Sequence, residues 1–220
     1  MQVRTPLYDS LDDARLSLAN EPAYGIKVVS TLNELMQVTA IRSAVFVGEQ
    51  VCPYDEEFDG NDLCATHLIG YRGKEPVACL RIRWFAEFAK LERLAVRHEF
   101  RSSKMSFQIV RAAIELIRKK GYSKVLGQSQ DRLLKWWSYF GFRPVPKRKE
   151  LVFSDFSYTE IVMDIDPDPE AITIETDPYV VIRPEGRWHR VGVLEESASR
   201  PVTSPLRSMT PAATPAAAAA

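Results

Sequence analysis

Hydrophobic positions along this chain recur in two periods, and each switch between them marks a new element. Residues 24–30, YGIKVVS, form a short β-branched run and predict a first strand. From Thr31 the period becomes helical: Leu35, Val38, Ile41 and Val45 share a stripe, and Thr31 with Glu34 has capping-box spacing. The acidic stretch CPYDEEFDGNDLCA (52–65) breaks the period and reads as a loop. THLIGYR (66–72) and PVACLRIRWF (76–85) predict strands joined by a turn at Gly73, and AKLERLAV (89–96) predicts a third central strand. In FQIVRAAIELIRKK (107–120), Ile109, Ala112, Ala113, Leu116 and Ile117 predict an amphipathic helix closed by Gly121.

The rest of the body follows the same logic. KVLGQSQ (124–130) predicts a strand, DRLLKWWSYF (131–140) a short helix stopped by Gly141, and 149–156 with 158–165 a closing antiparallel pair. Strands followed by alternating helices and strands predict an α/β fold, an α+β mixed sheet with helices packed on it. Residues 1–23 read as an N-terminal extension and 24–165 as the folded body. In 166–198, Pro and Asp punctuate two strand-like pieces, which predicts an extended arm lying on the body. Residues 199–220 are Pro, Ser, Thr and Ala with few large apolar side chains, so they are expected to be a disordered tail.

Composition narrows the function class. The chain has 220 residues, 45% of them hydrophobic, which is enough for a real core. Its 29 basic and 29 acidic residues cancel, which argues against a dedicated nucleic-acid binder but allows a local basic pocket. Cys52, Cys64 and Cys79 fit neither a zinc site nor a disulfide framework, so no metal and a reducing, cytoplasmic location are expected. No run approaches the ~20 apolar residues of a membrane span.

The chemistry of interest lies between the third central strand and the amphipathic helix. There the loop Arg101, Ser102, Ser103, Lys104, Met105, Ser106 leads into a helix N-terminus, whose unpaired N–H groups and dipole favour an anion. Such loops are usually glycine-rich; here hydroxyls and two cations stand instead. Read alone, the same residues also suit an ordinary polar loop with an N-capping serine.

Three spaced segments decide between these readings. Val96, Phe100 and Arg101 match the V-x-P-x-[YF]-R-G-x-G-x-G motif of the GNAT acetyltransferases, with Ser102, Lys104 and Ser106 in place of its glycines. Gln130, Trp136, Trp137, Phe140, Gly141 and Phe142 resemble that family's later A-Q-x-x-[AL]-x-x-[FY]-Y-x-x-[LYF]-G-F segment. Arg42, Val45, Phe46, Val47, Glu49, Gln50, Glu57, Asp59, Asp62 and His67 fit a subgroup pattern, R-x-x-V-F-V-x-E-Q followed by E-x-D-x-x-D and a histidine. Residues 24–165 therefore resemble a GNAT domain.

The resemblance implies a splayed central sheet and acetyl-CoA or another acyl-CoA as co-substrate. Leu94, Ala95 and Val96 would meet its pantetheine through the main chain, Arg101 to Ser106 its diphosphate, and Gln130 would also lie on the donor. Acyl transfer to an amine asks for a base and an acid. Glu92 is the matching carboxylate, or else an acid paired with Arg93 or Arg81. The usual tyrosine position holds Trp137, so the acid is absent, is Tyr139 two residues on after local rearrangement, or is replaced by water. Arg42, Phe46, Glu57 and Asp59 would bind the acceptor, and acidic residues there suit a cationic amine. His67 reads equally as a buried, hydrogen-bonded histidine.

The same Arg42, Phe46, Glu57, Asp59, Asp62 and Arg81 also fit N-acyl amino acid and acyl-homoserine-lactone synthases, some of which take acyl groups from acyl carrier protein. A catalytically degenerate CoA-sensing protein is a third reading. The implied partners are a small-molecule amine or amino-acid acceptor, acyl carrier protein under the synthase reading, and a second copy if the chain forms a homodimer.

Overall fold

The computed structural model describes residues 5–11, 24–146 and 149–208. Residues 1–4, 12–23 and 209–220, which include most of the expected extension and tail, lie outside the described residues. In chain order the first elements are β1 (Tyr24–Val28), α1 (Leu32–Arg42), α2 (Tyr54–Glu57), β2 (Thr66–Arg72), β3 (Glu75–Trp84) and β4 (Ala89–Val96). They are followed by α3 (Met105–Lys119), β5 (Lys124–Gln130), α4 (Leu134–Ser138), β6 (Arg143–Pro144), β7 (Leu151–Phe153) and β8 (Phe156–Asp164). Short helices α5 (Pro178–Val181) and α6 (Pro205–Ser208) lie in the arm.

The strands form one mixed sheet in the order β1-β2-β3-β4-β5-β8-β6, with β7 pairing farther along β8. All neighbours are antiparallel except β4 and β5. That parallel pair is hydrogen-bonded only from Ala89–Leu91 against Val125–Gly127, and beyond these residues the strands part. A bulge on the other edge of β4 accompanies the parting. Arg81 stands opposite Glu92 while Cys79 stands opposite Ala95, so Arg93 and Leu94 share one partner position. Arg93 takes up the extra residue with φ +52°, a conformation sparsely populated outside glycine.

Alternation along the strands sends two sets of side chains to opposite faces. On one, Leu68, Leu80 and Ile82 meet the apolar face of α3, where Met105, Ile109, Ala112, Ala113, Leu116 and Ile117 are all buried. On the other, Ile69, Tyr71, Cys79 and Ala95 meet Val38, Ile41 and Val45 of the first helix. Gly70 serves the α3 face: a Cβ there would lie 2.6 Å from Met105 Sδ, so the missing side chain is the slot that seats the start of α3.

The capping box on α1 forms as the sequence predicts, with Glu34 N–H donating to Thr31 Oγ1 and Thr31 N–H donating to Glu34. The helix then widens into a π-helical stretch, Ser43–Glu49, which periodicity does not reveal. The acidic loop contains the single turn α2, and the two-residue β6 has no signal in the hydrophobic pattern.

The arm has turns and short helical pieces where the sequence suggests strand-like ones. Among the described residues, most of its bonded N–H groups close local turns, and two reach the body. Those of Asp168 and Ile172 donate at 3.2 and 2.8 Å to the carbonyls of Arg118 and Lys119 at the end of α3, the first of which also accepts from Gly121 N–H. Farther on, Trp188 is buried in the core, and Gly186 at φ +75° lies so near Val28 that a Cβ would come within 2.5 Å. Asp9, buried in the N-terminal segment, pairs with Arg190 at 2.6 Å and His189 at 3.2 Å. Among the described residues no helix is long and apolar enough to cross a membrane, and the three cysteines are free.

Candidate active site

Where β4 leaves β5, the 101–106 loop is bonded to Val96 and the 51–62 segment to Arg93, and the β7–β8 turn is bonded in turn to Glu56 of that segment. Leu94, Ala95 and Val96 form the parted end of β4; Ala95 and Val96 pair with β3 on one edge and have no β5 partner on the other. This placement leaves main-chain groups available to an extended ligand.

In the loop, Ser103 Oγ donates to the Phe100 carbonyl at 2.6 Å and accepts from Met105 N–H at 3.3 Å. The Met105 side chain is wholly buried, so only its backbone faces the loop side. None of residues 101–106 has a positive φ, so the glycines of the motif are not replaced at strained positions. Lys104 is the N-cap of α3, exposed, and without an ion pair among the described residues. Arg101 folds back: its Nε donates to the Val96 carbonyl at 3.0 Å, and its Nη2 pairs with Glu49. Gln130 is buried, bonded to Tyr158 Oη at 3.2 Å and to Arg132 at 2.7 Å.

The acidic and basic candidates form one buried network on the α1 face. Arg42 donates to Glu57 and Asp62 at 2.5 Å each. Arg81 reaches Asp59 at 2.6 and 2.8 Å, Asp62 at 2.9 Å and Glu92 at 2.6 Å. Arg93, displaced by the bulge, holds Glu57 at 3.0 Å, and Lys90 holds Glu92 at 2.6 Å. Burial alone would raise the carboxyl pKa values of Asp59, Asp62 and Glu92. Hydrogen bonds from Arg81 to Asp59, from Arg42 to Asp62 and from Lys90 to Glu92 outweigh it, so all three sit below their ordinary values.

This geometry places each candidate. Glu92, its side chain 8% exposed, is ionised between Arg81 and Lys90 and is therefore a weak proton acceptor at neutral pH. Arg42 and Glu57 are buried and spend their polar atoms on this network, which sets the position of the 57–62 segment. Asp59 is about a quarter exposed, and Phe46 packs partly buried against the first-helix cluster. Tyr139 sits at the C-terminal end of α4, 68% exposed. Trp137 packs edge-on against Trp136 and Phe142, a core aromatic role.

One contact has no counterpart in the sequence pattern. The β7–β8 turn carries Ser154 and Asp155, both at positive φ, and Ser154 donates from its N–H and hydroxyl to Glu56 at 2.8 and 2.9 Å. The hairpin beyond β5 is thus fastened to α2. The local signal is a Ser-Asp pair between two phenylalanines, which marks a tight turn but names no partner.

His67 is buried, with Nε2 2.9 Å from the Asp62 carbonyl. Burial lowers its pKa, only partly offset by Asp62, and His189 is lowered by burial too. An unfolded imidazole titrates near ~6.5, so as pH falls the unfolded chain takes up the proton first. The stability contributed by neutral His67 is full above about pH 6.5 and declines below it. The urea midpoint should fall between pH 7.5 and pH 5, and His67→Gln should shrink that fall; an undiminished fall would refute the assignment to His67.

Known proteins resemble this arrangement. The Acetyltransferase (GNAT) family model matches residues 35–142. The uncharacterized N-acetyltransferase YjcF of Bacillus subtilis is 28% identical over 141 residues, which span 63% of this chain and all of that protein. ElaA of Escherichia coli is 31% identical over 121 residues, covering 52% of this chain and 78% of ElaA. Its crystal structure superposes with a TM-score of 0.58, covering 64% of this chain and 99% of that one. A GNAT acetyltransferase from Elizabethkingia anophelis with acetyl-CoA bound shares the fold at a TM-score of 0.51 and 14% identity, over 64% of this chain and 98% of its own. With the mixed sheet, the parted β4 and β5 and the loop at the head of α3 in view, the chain belongs to the GNAT acetyltransferase family.

Proposed function

We infer that the protein moves an acetyl or other acyl group from acyl-CoA to a primary amine, which attacks the thioester directly. The observation that supports this most is the parting of β4 from β5 beside a cationic, serine-rich helix N-terminus. In this reading the open edge at Leu94 to Val96 pairs with the pantetheine amides. The first-turn amides of α3, with Ser102, Ser106 and Lys104, receive the diphosphate.

Asp55 and Glu56 are exposed and have no ion-pair partner among the described residues, which favours an acceptor carrying positive charge. Since Glu92 is held ionised by two cations, the acceptor ammonium loses its proton chiefly to solvent in this scheme. The departing thiolate has an ordinary thiol pKa near ~8.5, so it asks for little acid assistance, from the exposed Tyr139 or from water.

Calorimetric titration with acetyl-CoA, a long-chain acyl-CoA and free CoA tests the donor. Binding in the micromolar range, followed by amine-dependent thiol release, supports the reading. Absence of binding to all three would overturn it and point to acyl carrier protein as donor. Tight CoA binding with no transfer to any amine would favour the sensing role.

A further inference from the structure

We propose that Arg101 serves the donor site by position and not by charge, and that Glu49 is the residue that makes it do so. The inference rests on the acyl-CoA reading above.

Arg101 is the first residue of the loop, yet its guanidinium is already committed in two directions. Nε donates to the carbonyl of Val96, the last residue of β4, at 3.0 Å. Nη2 pairs with the carboxylate of Glu49, the last residue of the π-helical stretch. The remaining Nη1 lies 3.4 Å from His98 Nδ1. One side chain therefore joins the end of the first helix, the end of the parted strand and the start of the anion loop.

The charges in the loop divide accordingly. Glu49 cancels the charge of Arg101, while Lys104 has no ion pair among the described residues and is the uncommitted cation. A phosphate ligand with a carboxylate already on its fork would have to exchange one anion for another. A positioning residue needs that carboxylate.

The backbone shows why such a residue has something to hold. No loop residue takes a positive φ, so the loop forms without the conformations that favour glycine. Its form is imposed from outside. Met105 in the Gly70 slot secures the helix end, Ser103 closes the turn on Phe100, and Arg101 secures the strand end. Only a planar fork can reach Val96 and Glu49 at once, which a lysine cannot do. The pair is 43% and 34% exposed, so it adds little to folding and its effect appears in where it places the loop. Because Phe46 and Arg42 lie on the same first-helix unit, the pair also ties the donor loop to the elements beside the acceptor segment.

Two substitutions separate position from charge, read by calorimetry with acetyl-CoA on the full chain. Arg101→Lys keeps the charge but loses the fork, and should weaken binding on the order of five-fold. Glu49→Gln should weaken it to a similar degree, since the fork loses its anchor. Were Arg101 a phosphate ligand, removing the competing carboxylate would tighten binding instead. The double variant should bind no more weakly than the weaker single one, because both remove the same contact. The donor KM should rise in both variants while kcat at saturating donor holds, a split that a general loss of structure would not give. Arg101→Lys binding like wild type, Glu49→Gln binding more tightly, or additive losses would overturn the inference while leaving acyl-CoA as donor. If the wild-type protein binds no acyl-CoA, the donor reading fails and this inference falls with it.

Discussion

Replacing Arg81 by methionine is expected to cost about 3 kcal/mol of folding stability, since it leaves buried carboxylates without their shared cation. The Arg81 side chain is fully buried and bonds Asp59, Asp62 and Glu92. Methionine fills comparable space, so the loss isolates charge from volume. Breaking one side of a buried pair costs roughly 3–5 kcal/mol, and the lower end applies because water reaches Asp59 and Asp62, each about a quarter exposed. Arg42, Arg93 and Lys90 also remain to hold part of the negative charge. Urea unfolding followed by circular dichroism measures the change; a loss below ~1 kcal/mol would mean that the network is solvated and contributes little. Arg81→Lys should fall between, because a single ammonium cannot span three carboxylates. The pH dependence has a definite sign. Asp59, Asp62 and Glu92 have lowered pKa values, so their contribution is full above the ordinary carboxyl range and is lost as pH falls below it.

Lys104→Glu should move stability and donor binding in opposite directions. Lys104 occupies the N-cap position of the 15-residue helix α3 without a side-chain capping bond, where the helix dipole disfavours a cation. Glutamate there should stabilise the fold by about 0.5 kcal/mol. At the same position it would face the donor diphosphate with reversed charge. A change of two unit charges near phosphate, in a partly wet loop, is worth about 1–3 kcal/mol. Acetyl-CoA affinity should therefore drop on the order of ten- to a hundred-fold. Thermal melting and calorimetry on the same preparation check both halves. Unchanged affinity would remove Lys104 from the donor site, and equal losses in both would show a structural role instead.

Much of the architecture is legible in the sequence because it depends on neighbours along the chain. The apolar stripe of α3, the Thr31–Glu34 box and the β2–β3 hairpin each rest on residues only a few positions apart. The three motif segments are legible for the same reason, and they locate the parted strand and its loop. The bulge at Arg93 is not, because nothing in LERLAV distinguishes a regular strand from one that gains a residue against β3. The π-helical end of the first helix is hidden too, because its residues continue an ordinary apolar stripe.

By itself the sequence determined the order and type of the larger strands and helices of residues 24–165, the mixed sheet, the helix-head loop and the acidic segment beside it. The sequence offered Arg81 or Arg93 as partners of Glu92, and tertiary structure chose Arg81 and set the rest of the charge pairing. Arg42 meets Glu57 and Asp62, 15 and 20 residues away, and Arg81 meets Asp59 and Asp62, 22 and 19 away. Arg101 turns to Glu49 across 52 residues, and Ser154 to Glu56 across 98. Periodicity reports which face of one element avoids water, since that is a property of adjacent side chains. The sequence narrows the partner of a charge only where the candidates are few, as for Glu92. That partner is set by which elements the core brings together and by the need for every buried ion to find an opposite one.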